Sequence, residues 1–262
     1  MTMTPVPEVL INSALFITGM MLCLWLLSLA IKNASIVDIA WGGGFVMVAW
    51  VSAIVANGQS ARGNLLLVLS TLWGLRLAGY LAWRNIGHGE DFRYKAMRKH
   101  HGARFPLISL VTVFIVQGAL MWVVSLPLQL GQIDSETRVG PIAMAGVFIW
   151  AIGLAFESIG DIQLARFKAM PDSAGRVMRT GLWKFTRHPN YFGDSLVWWG
   201  IAIVAAESSK GRPGVIGAIV MTYLLMKFSG VPFLEKTITK RRPEYAEYQA
   251  ATSAFFPRRP KH

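Results

Sequence analysis

The stretch VLINSALFITGMMLCLWLLSLAI (Val9–Ile31) runs for 23 residues without a charged side chain. At about 1.5 Å rise per residue, a helix of this length crosses the roughly 30 Å hydrocarbon core of a bilayer. It is too long for the apolar segment of a secretory leader, and more apolar runs follow it. Working outward, comparable runs occupy Ile36–Ala56, Asn64–Trp83, Pro106–Leu130, Gly140–Ala165, Tyr191–Ala206 and Pro213–Leu234. None alternates as a membrane barrel strand does. In lipid, helices satisfy their own backbone polar groups. The sequence therefore predicts an all-α integral membrane protein, a bundle of about seven transmembrane helices within one domain covering residues 1–262.

Composition points the same way. Hydrophobic residues make up 53% of the chain and charged residues 15%, against roughly a quarter charged in soluble domains. The single cysteine, Cys23, lies inside the first run, which excludes a disulfide framework or a cysteine metal site. No metal is expected. No internal repeat or low-complexity tract interrupts the chain.

The formal net charge of +12 reads as topology rather than as a nucleic-acid surface, because positive residues concentrate in cytoplasmic loops. With the N-terminus outside, the inner segments hold Lys32, six cations from Arg84 to Arg104, six from Arg166 to Arg187 and seven from Lys236 to Lys261. That is 20 of the 26 Lys and Arg, against Arg62, Arg138, Lys210 and Arg212 outside. The C-terminus is then cytoplasmic. Trp25, Trp50, Trp122 and Trp150 are expected as interface anchors and packing.

Ionisable residues inside spans are costly and mark functional candidates. Here they are Asp38, Arg76, Glu157, Asp161, Asp194 and Lys227, with Glu235 just past the last span. In this orientation all fall in the cytoplasmic halves of their helices, Arg76 and Glu157 on the order of 10 Å deep. Glu157 and Asp161 share a helix face at i, i+4, continued by Lys168, and Asn190, Asp194 and Trp198 repeat that spacing. A polar cavity open to the cytoplasm is one reading, and structural ion pairs binding the bundle are the other. The segment Arg166–His188 adds Arg166, Lys168, Arg176, Arg179, Lys184, Arg187 and His188. Guanidinium groups suit phosphate through paired hydrogen bonds, although such residues also enforce topology or touch anionic lipid. Gly42-Gly43-Gly44 is read first as a close helix contact and second as room for a flat ligand.

No G-x-G-x-x-G, Walker A, H-E-x-x-H or G-x-S-x-G motif is present. Arg187-His188-Pro189-Asn190-Tyr191-Phe192-Gly193-Asp194 joins a basic loop to a membrane helix, with Pro189 placed for a helix start. Together with Tyr245-Ala246-Glu247-Tyr248 and Thr252-Ser253-Ala254-Phe255-Phe256-Pro257, this segment resembles the membrane-bound steroid 5-alpha-reductase family. Asp38-Ile39-Ala40-Trp41-Gly42, Gly89-Glu90-Asp91 and Arg93-Tyr94 are similar to its bacterial branch. The Arg-His-Pro-Asn-Tyr segment is shared with other sterol reductases and with isoprenylcysteine carboxyl methyltransferases.

The resemblance implies a seven-helix bundle in a bacterial inner membrane, holding NADPH on its cytoplasmic side and reducing a 3-oxo-4-ene steroid or similar lipophilic enone. By motif position, Glu157, Asp161, Arg179, Asn190, Asp194 and Trp198 correspond to cofactor contacts. Arg166, Lys168, Arg187, His188, Tyr191, Glu235, Tyr245 and Tyr248 join that set. Asp38, Tyr80 and Arg76 are the catalytic candidates. Two departures stand out. Asp38 occupies the place of a Gln-Glu pair, and Trp73 holds the place of the phenol expected to partner it, with Tyr80 two turns on. The rivals are an S-adenosylmethionine-dependent methyltransferase of the isoprenylcysteine type and a lipid-binding or transport protein. Expected partners are the lipophilic substrate and membrane lipids, with no nucleic acid and no obligate protein partner.

The topology is open to direct test. In a Cys23→Ser background, a cysteine at position 210 should react with membrane-impermeant reagent only from the periplasmic side. Reaction only from the cytoplasm would invert the orientation.

Overall fold

The structure, a computed structural model, describes residues 6–57, 60–133, 138–228, 230–231, 235, 238, 242 and 244–260. Most of the described residues are helical, and there is no strand among them. The principal helices are α1 (Val6–Ala30), α2 (Ile36–Ala56), α3 (Ala61–Asn85), α4 (Phe92–His101), α5 (Phe105–Ser109), α6 (Val116–Val124), α7 (Leu126–Leu130), α8 (Pro141–Ala169), α9 (Pro189–Ala206), α10 (Val215–Tyr223) and α11 (Tyr245–Ala251). A π-helical turn, Leu110–Ile115, joins α5 to α6, and another, Leu224–Phe228, continues α10.

Five segments are long and apolar enough to cross a bilayer: Val6–Ala30, Ile36–Ala56, Ala61–Asn85, Phe92–Val124 and Pro141–Ala169. They overlap the first five spans read from the sequence, the fourth running Phe92–Val124 rather than Pro106–Leu130. The other two runs fold as α9, whose first turns carry Asn190 and Asp194, and as α10 with its π-helical extension. Residues 232–234 at the end of the last run lie outside the described residues, as do Lys236, Lys240, Arg241 and Lys261.

The chain divides into two compact units. The first comprises Met1–Met144 with Ile201–Gly217, and the second Ala145–Gly200 with Ala218–His262. In the first, α2 packs on α1 and α3. A Cβ on Gly42 would lie 2.5 Å from the Gly74 carbonyl oxygen, and one on Gly44 2.6 Å from Met121. Gly43 faces open space. The glycine run is therefore a packing device at two of its positions. Phe45 and Trp73 meet within this core at 5.8 Å between ring centroids, and both are fully buried.

Arg62, expected in an outer loop, is instead fully buried in the first turn of α3. It donates to Glu207 at 3.2 Å. The same carboxylate accepts the backbone N–H groups of Gly140 and Ala143 at 3.0 and 3.1 Å. The orphan donors at the start of α8 are thus satisfied by a carboxylate from elsewhere in the chain. Burial raises the pKa of Glu207, but those hydrogen bonds and the Arg62 charge more than offset it, leaving it below the usual carboxylate range.

In the second unit, α8 and α9 touch backbone to backbone. Gly146, Gly153 and Gly160 on α8, and Gly193 and Gly200 on α9, recur every seven residues, close to two helical turns, so each set lines one stripe. A Cβ on Gly153 would lie 2.6 Å from the Gly193 carbonyl oxygen, and one on Gly193 2.5 Å from the Glu157 nitrogen. One on Gly200 would lie 2.6 Å from the Gly146 carbonyl oxygen. Missing side chains at these positions let the helices approach to main-chain contact.

Substitution at two glycines should separate packing from helix propensity. Gly193→Ala should lower stability by roughly 1–3 kcal/mol through overpacking. Gly43→Ala should be neutral or gain up to about 1 kcal/mol, since alanine is the better helix former. Thermal unfolding of the two variants in detergent checks both signs, and equal melting temperatures would contradict the close contact.

Candidate functional site

The α8–α9 contact decides where the carboxylates of the second unit go. Gly153, Glu157, Gly160 and Asp161 fall at i, i+4, i+7 and i+8 along α8, so both acids share the stripe that faces α9. Glu157 is 3% exposed and Asp161 4%. Asn190, in the first turn of α9, donates its Nδ2 to Asp161 at 3.2 Å. A Cβ on Gly193 would lie 2.9 Å from that of Glu157. Further along α9, Trp198 is fully buried and Asp194 half-buried. The acids, Asn190 and Trp198 expected together from the sequence are therefore carried by the two facing helices. These carboxylates are acceptors for hydroxyl and amide N–H groups in a site nearly closed to water.

At the end of the basic segment before α9, Arg187 and His188 turn towards Glu235. Arg187 is buried, and its guanidinium grips Glu235 at 2.7 and 3.1 Å, the Gln249 carbonyl at 3.0 Å and the Thr252 carbonyl. Its backbone N–H donates to the Ser253 carbonyl at 2.9 Å. Glu235 also takes Gln249 Nε2 at 2.8 Å, Tyr245 Oη at 3.2 Å and the His188 ring at 3.1 Å. His188 stacks on Tyr191 at 5.4 Å. Tyr248 Oη donates to the Trp183 carbonyl, and Trp183 Nε1 to the Gly160 carbonyl at 3.1 Å. The cation assigned to phosphate by its type is thus spent on satisfying carbonyls and a carboxylate, and it ties α11 and the following residues to the start of α9. Arg187, Glu235, Tyr245 and Tyr248, read from the sequence as cofactor contacts, here bond to one another and to backbone carbonyls.

Arg166 and Lys168 project from the exposed end of α8. Arg179 donates to Glu247 at 3.2 Å and to the Glu244 carbonyl at 2.8 Å, and it lines a surface pocket with Lys184, Tyr248 and Thr252. Gly181 makes the intervening turn possible. Its φ is +62°, and a Cβ there would lie 2.4 Å from the Gln163 amide that accepts from Leu182 N–H.

A second polar group occupies the first unit. Asp38 is in the first turn of α2. Its Oδ2 takes Arg93 Nη2 at 2.6 Å, and its Oδ1 takes the Tyr94 hydroxyl at 2.9 Å. Tyr94 is 5% exposed and accepts Gln117 Nε2 at 3.3 Å. Arg93 reaches Asp91 as well, at 2.8 Å. The Asp38 side chain keeps 23% exposure, so the group is open on one side. The phenol partnering Asp38 is therefore Tyr94, fifty-six residues away, rather than Tyr80. Tyr80 lies between the guanidinium groups of Arg76 and Arg84, at 5.5 and 5.7 Å. Tyr94 was visible in the sequence only as part of the Arg93-Tyr94 pair. The signal that would have singled it out is Asp91, whose side chain accepts from the Arg93 backbone N–H and caps α4, turning an apparent loop into a helix.

Residues 24–252 match the model of a family described as a protein of unknown function (DUF1295). An uncharacterised protein of Schizosaccharomyces pombe, C594.04c, is 25% identical over 94% of this chain and 81% of its own. A probable O-methyltransferase of Ustilaginoidea virens, ustE, is 32% identical over 40% of this chain and 36% of its own. No solved structure matches.

The Glu235 hub gives a pH signature. Burial raises its pKa, but the hydrogen bonds from His188, Arg187 and Gln249 and the Arg187 charge prevail, pulling it to about 2. A carboxyl held below its unfolded value stabilises the fold above the unfolded value, and that stabilisation is lost as pH falls through the folded one. The melting temperature should therefore fall as pH drops from about 5 towards 3, with a shallower slope in Glu235→Gln. Superimposable acid slopes for the two proteins would remove the hub from the account.

Proposed function

For this member of the DUF1295 family, whose function is unknown, we propose, from the motif resemblance together with the side-chain geometry, NADPH-dependent reduction of the 4,5 double bond of a 3-oxo-4-ene steroid or a similar lipophilic enone. The proposal includes seven spans, an outer N-terminus and a cytoplasmic cofactor side in a bacterial inner membrane. The observation that carries it is the buried Tyr94 hydroxyl held between Asp38 and Gln117, with Arg93 paired to the same Asp38. A lipophilic ketone needs one positioned proton donor and little else to become an electrophile.

This reading gives the cofactor to residues of the second unit. Glu157 and Asp161 are buried acceptors beside Asn190, suited to ribose hydroxyls and a carboxamide, while Arg179 and Lys168 supply charge for phosphates. When bound, a reduced nicotinamide supplies the hydride for the β carbon of the enone. The chain's own part is to hold and polarise. Asp38, ion-paired to Arg93, acts as an acceptor and keeps the phenol oriented. The single Tyr94 hydroxyl proton, now given to Asp38, would turn from that carboxylate to a substrate oxygen, leaving the phenol oxygen accepting from Gln117. Trp198 and the glycine-packed helices exclude water from the carboxylates.

Methyl transfer from S-adenosylmethionine to an oxygen is the second reading, favoured by the partial likeness to ustE, named a probable O-methyltransferase. Asp38 would then serve as the base that takes the hydroxyl proton.

Titrating the detergent-purified protein with NADPH and with S-adenosylmethionine should separate the two, with NADPH alone binding. Tyr94→Phe should then lower kcat for enone reduction by roughly 100- to 1000-fold while leaving NADPH affinity unchanged. Binding of S-adenosylmethionine in place of NADPH, or full activity in Tyr94→Phe, would overturn the assignment.

A further inference from the structure

We propose that the outward face of α4 is a binding surface for anionic phospholipid headgroups. Phe92, Lys95, Ala96 and Lys99 fall at i, i+3, i+4 and i+7 along this helix, and all four are exposed. Arg104, in the turn that follows, is exposed as well. Lys95, Lys99 and Arg104 make no ion pair with any described residue, although α4 holds two other cations that do. Arg93 is paired with Asp38 and Asp91. Arg98 grips Glu90 at 2.8 and 3.1 Å and lies 4.2 Å over the Phe105 ring. Glu90 in turn accepts the Ala34 backbone N–H at 2.8 Å, and Ser35 Oγ accepts that of Asp91. One side of α4 is thus pinned to the start of α2, which fixes the side that faces away. That side carries Lys99 and Arg104 with no ion pair among the described residues, and Lys95, whose charge also acts on Glu90 without an ion pair.

Length places this face at the membrane boundary. The segment Phe92–Val124 has 33 residues, or about 50 Å of helix, well beyond a hydrocarbon core of roughly 30 Å. The twenty residues from Phe105 to Val124 suffice to cross it. The charged residues 92–104 are left in the headgroup layer, and Gly102, at φ +51°, ends α4 and frees it to turn along the surface. The end of α3 leading into this segment exposes Trp83 (67%) and Ile86 (69%), and Phe92 is 45% exposed. Aromatic and apolar groups beside lysines are the pattern of a helix lying in the interface, drawn to negative lipid. This surface is independent of the chemistry proposed above.

Thermal unfolding of the full chain in zwitterionic detergent tests the proposal, with short-chain phosphatidylglycerol or phosphatidylcholine of matched acyl length added. Phosphatidylglycerol should raise Tm by several degrees more than phosphatidylcholine. The triple variant Lys95→Gln, Lys99→Gln, Arg104→Gln should lose most of that difference. Arg258→Gln with Arg259→Gln, removing exposed cations elsewhere, should keep it. Lys99→Gln alone should give a partial loss and serves if the triple variant does not purify. Equal shifts for the two lipids would refute the surface. So would reproduction of the shift by inorganic phosphate, retention of the difference in the triple variant, or its loss in the distal control.

Discussion

The main-chain contact between α8 and α9 is the constraint on which the second unit depends. Two buried carboxylates four residues apart on one helix repel each other and are costly to take out of water. They persist where a facing helix brings polar groups within reach, and here it does so only because glycine removes the side chains that would hold the backbones apart. Asn190 can bond Asp161 because the α9 backbone comes within van der Waals distance of α8 at Gly160. The packing and the chemistry of the stripe are therefore one feature. A bulkier residue at Gly193 would displace the start of α9 and, with it, the polar partner of the acid.

The Arg-His-Pro-Asn-Tyr segment gains a physical meaning from its surroundings. Arg187 satisfies backbone carbonyls of residues 249 and 252 together with the Glu235 carboxylate. Pro189 begins α9, where a missing N–H costs nothing. Asn190 addresses the acid on α8. Three consecutive functions, anchoring the C-terminal segment, starting a helix and reaching a buried carboxylate, fall on four adjacent residues.

In the first unit, burial of polar groups follows a common rule at two places. Glu207 completes the start of α8 while neutralising Arg62, and Asp38 completes a phenol and a guanidinium. In each case one carboxylate satisfies donors from several parts of the chain. A charge buried with fewer partners would neutralise or unfold its surroundings. The Asp38 side chain keeps 23% exposure, whereas Arg62 is sealed at 1%.

The sequence by itself determined an all-helical protein with bilayer-length apolar runs, read as about seven, of which five helices are long and apolar enough to cross a membrane. It also marked the ionisable residues inside those runs, since hydropathy is a property of contiguous residues. What it could not show is who meets whom. Tyr94 as the partner of Asp38, Arg187 turned inward onto Glu235, and Arg62 buried rather than looped out all join residues 48 to 145 positions apart. Only tertiary structure decided them, because such pairings depend on how closely two helices approach and at what rotation. A cation's type announces phosphate, carboxylate and carbonyl equally well. Which it receives is settled by the acceptors that packing leaves within 3 Å of it.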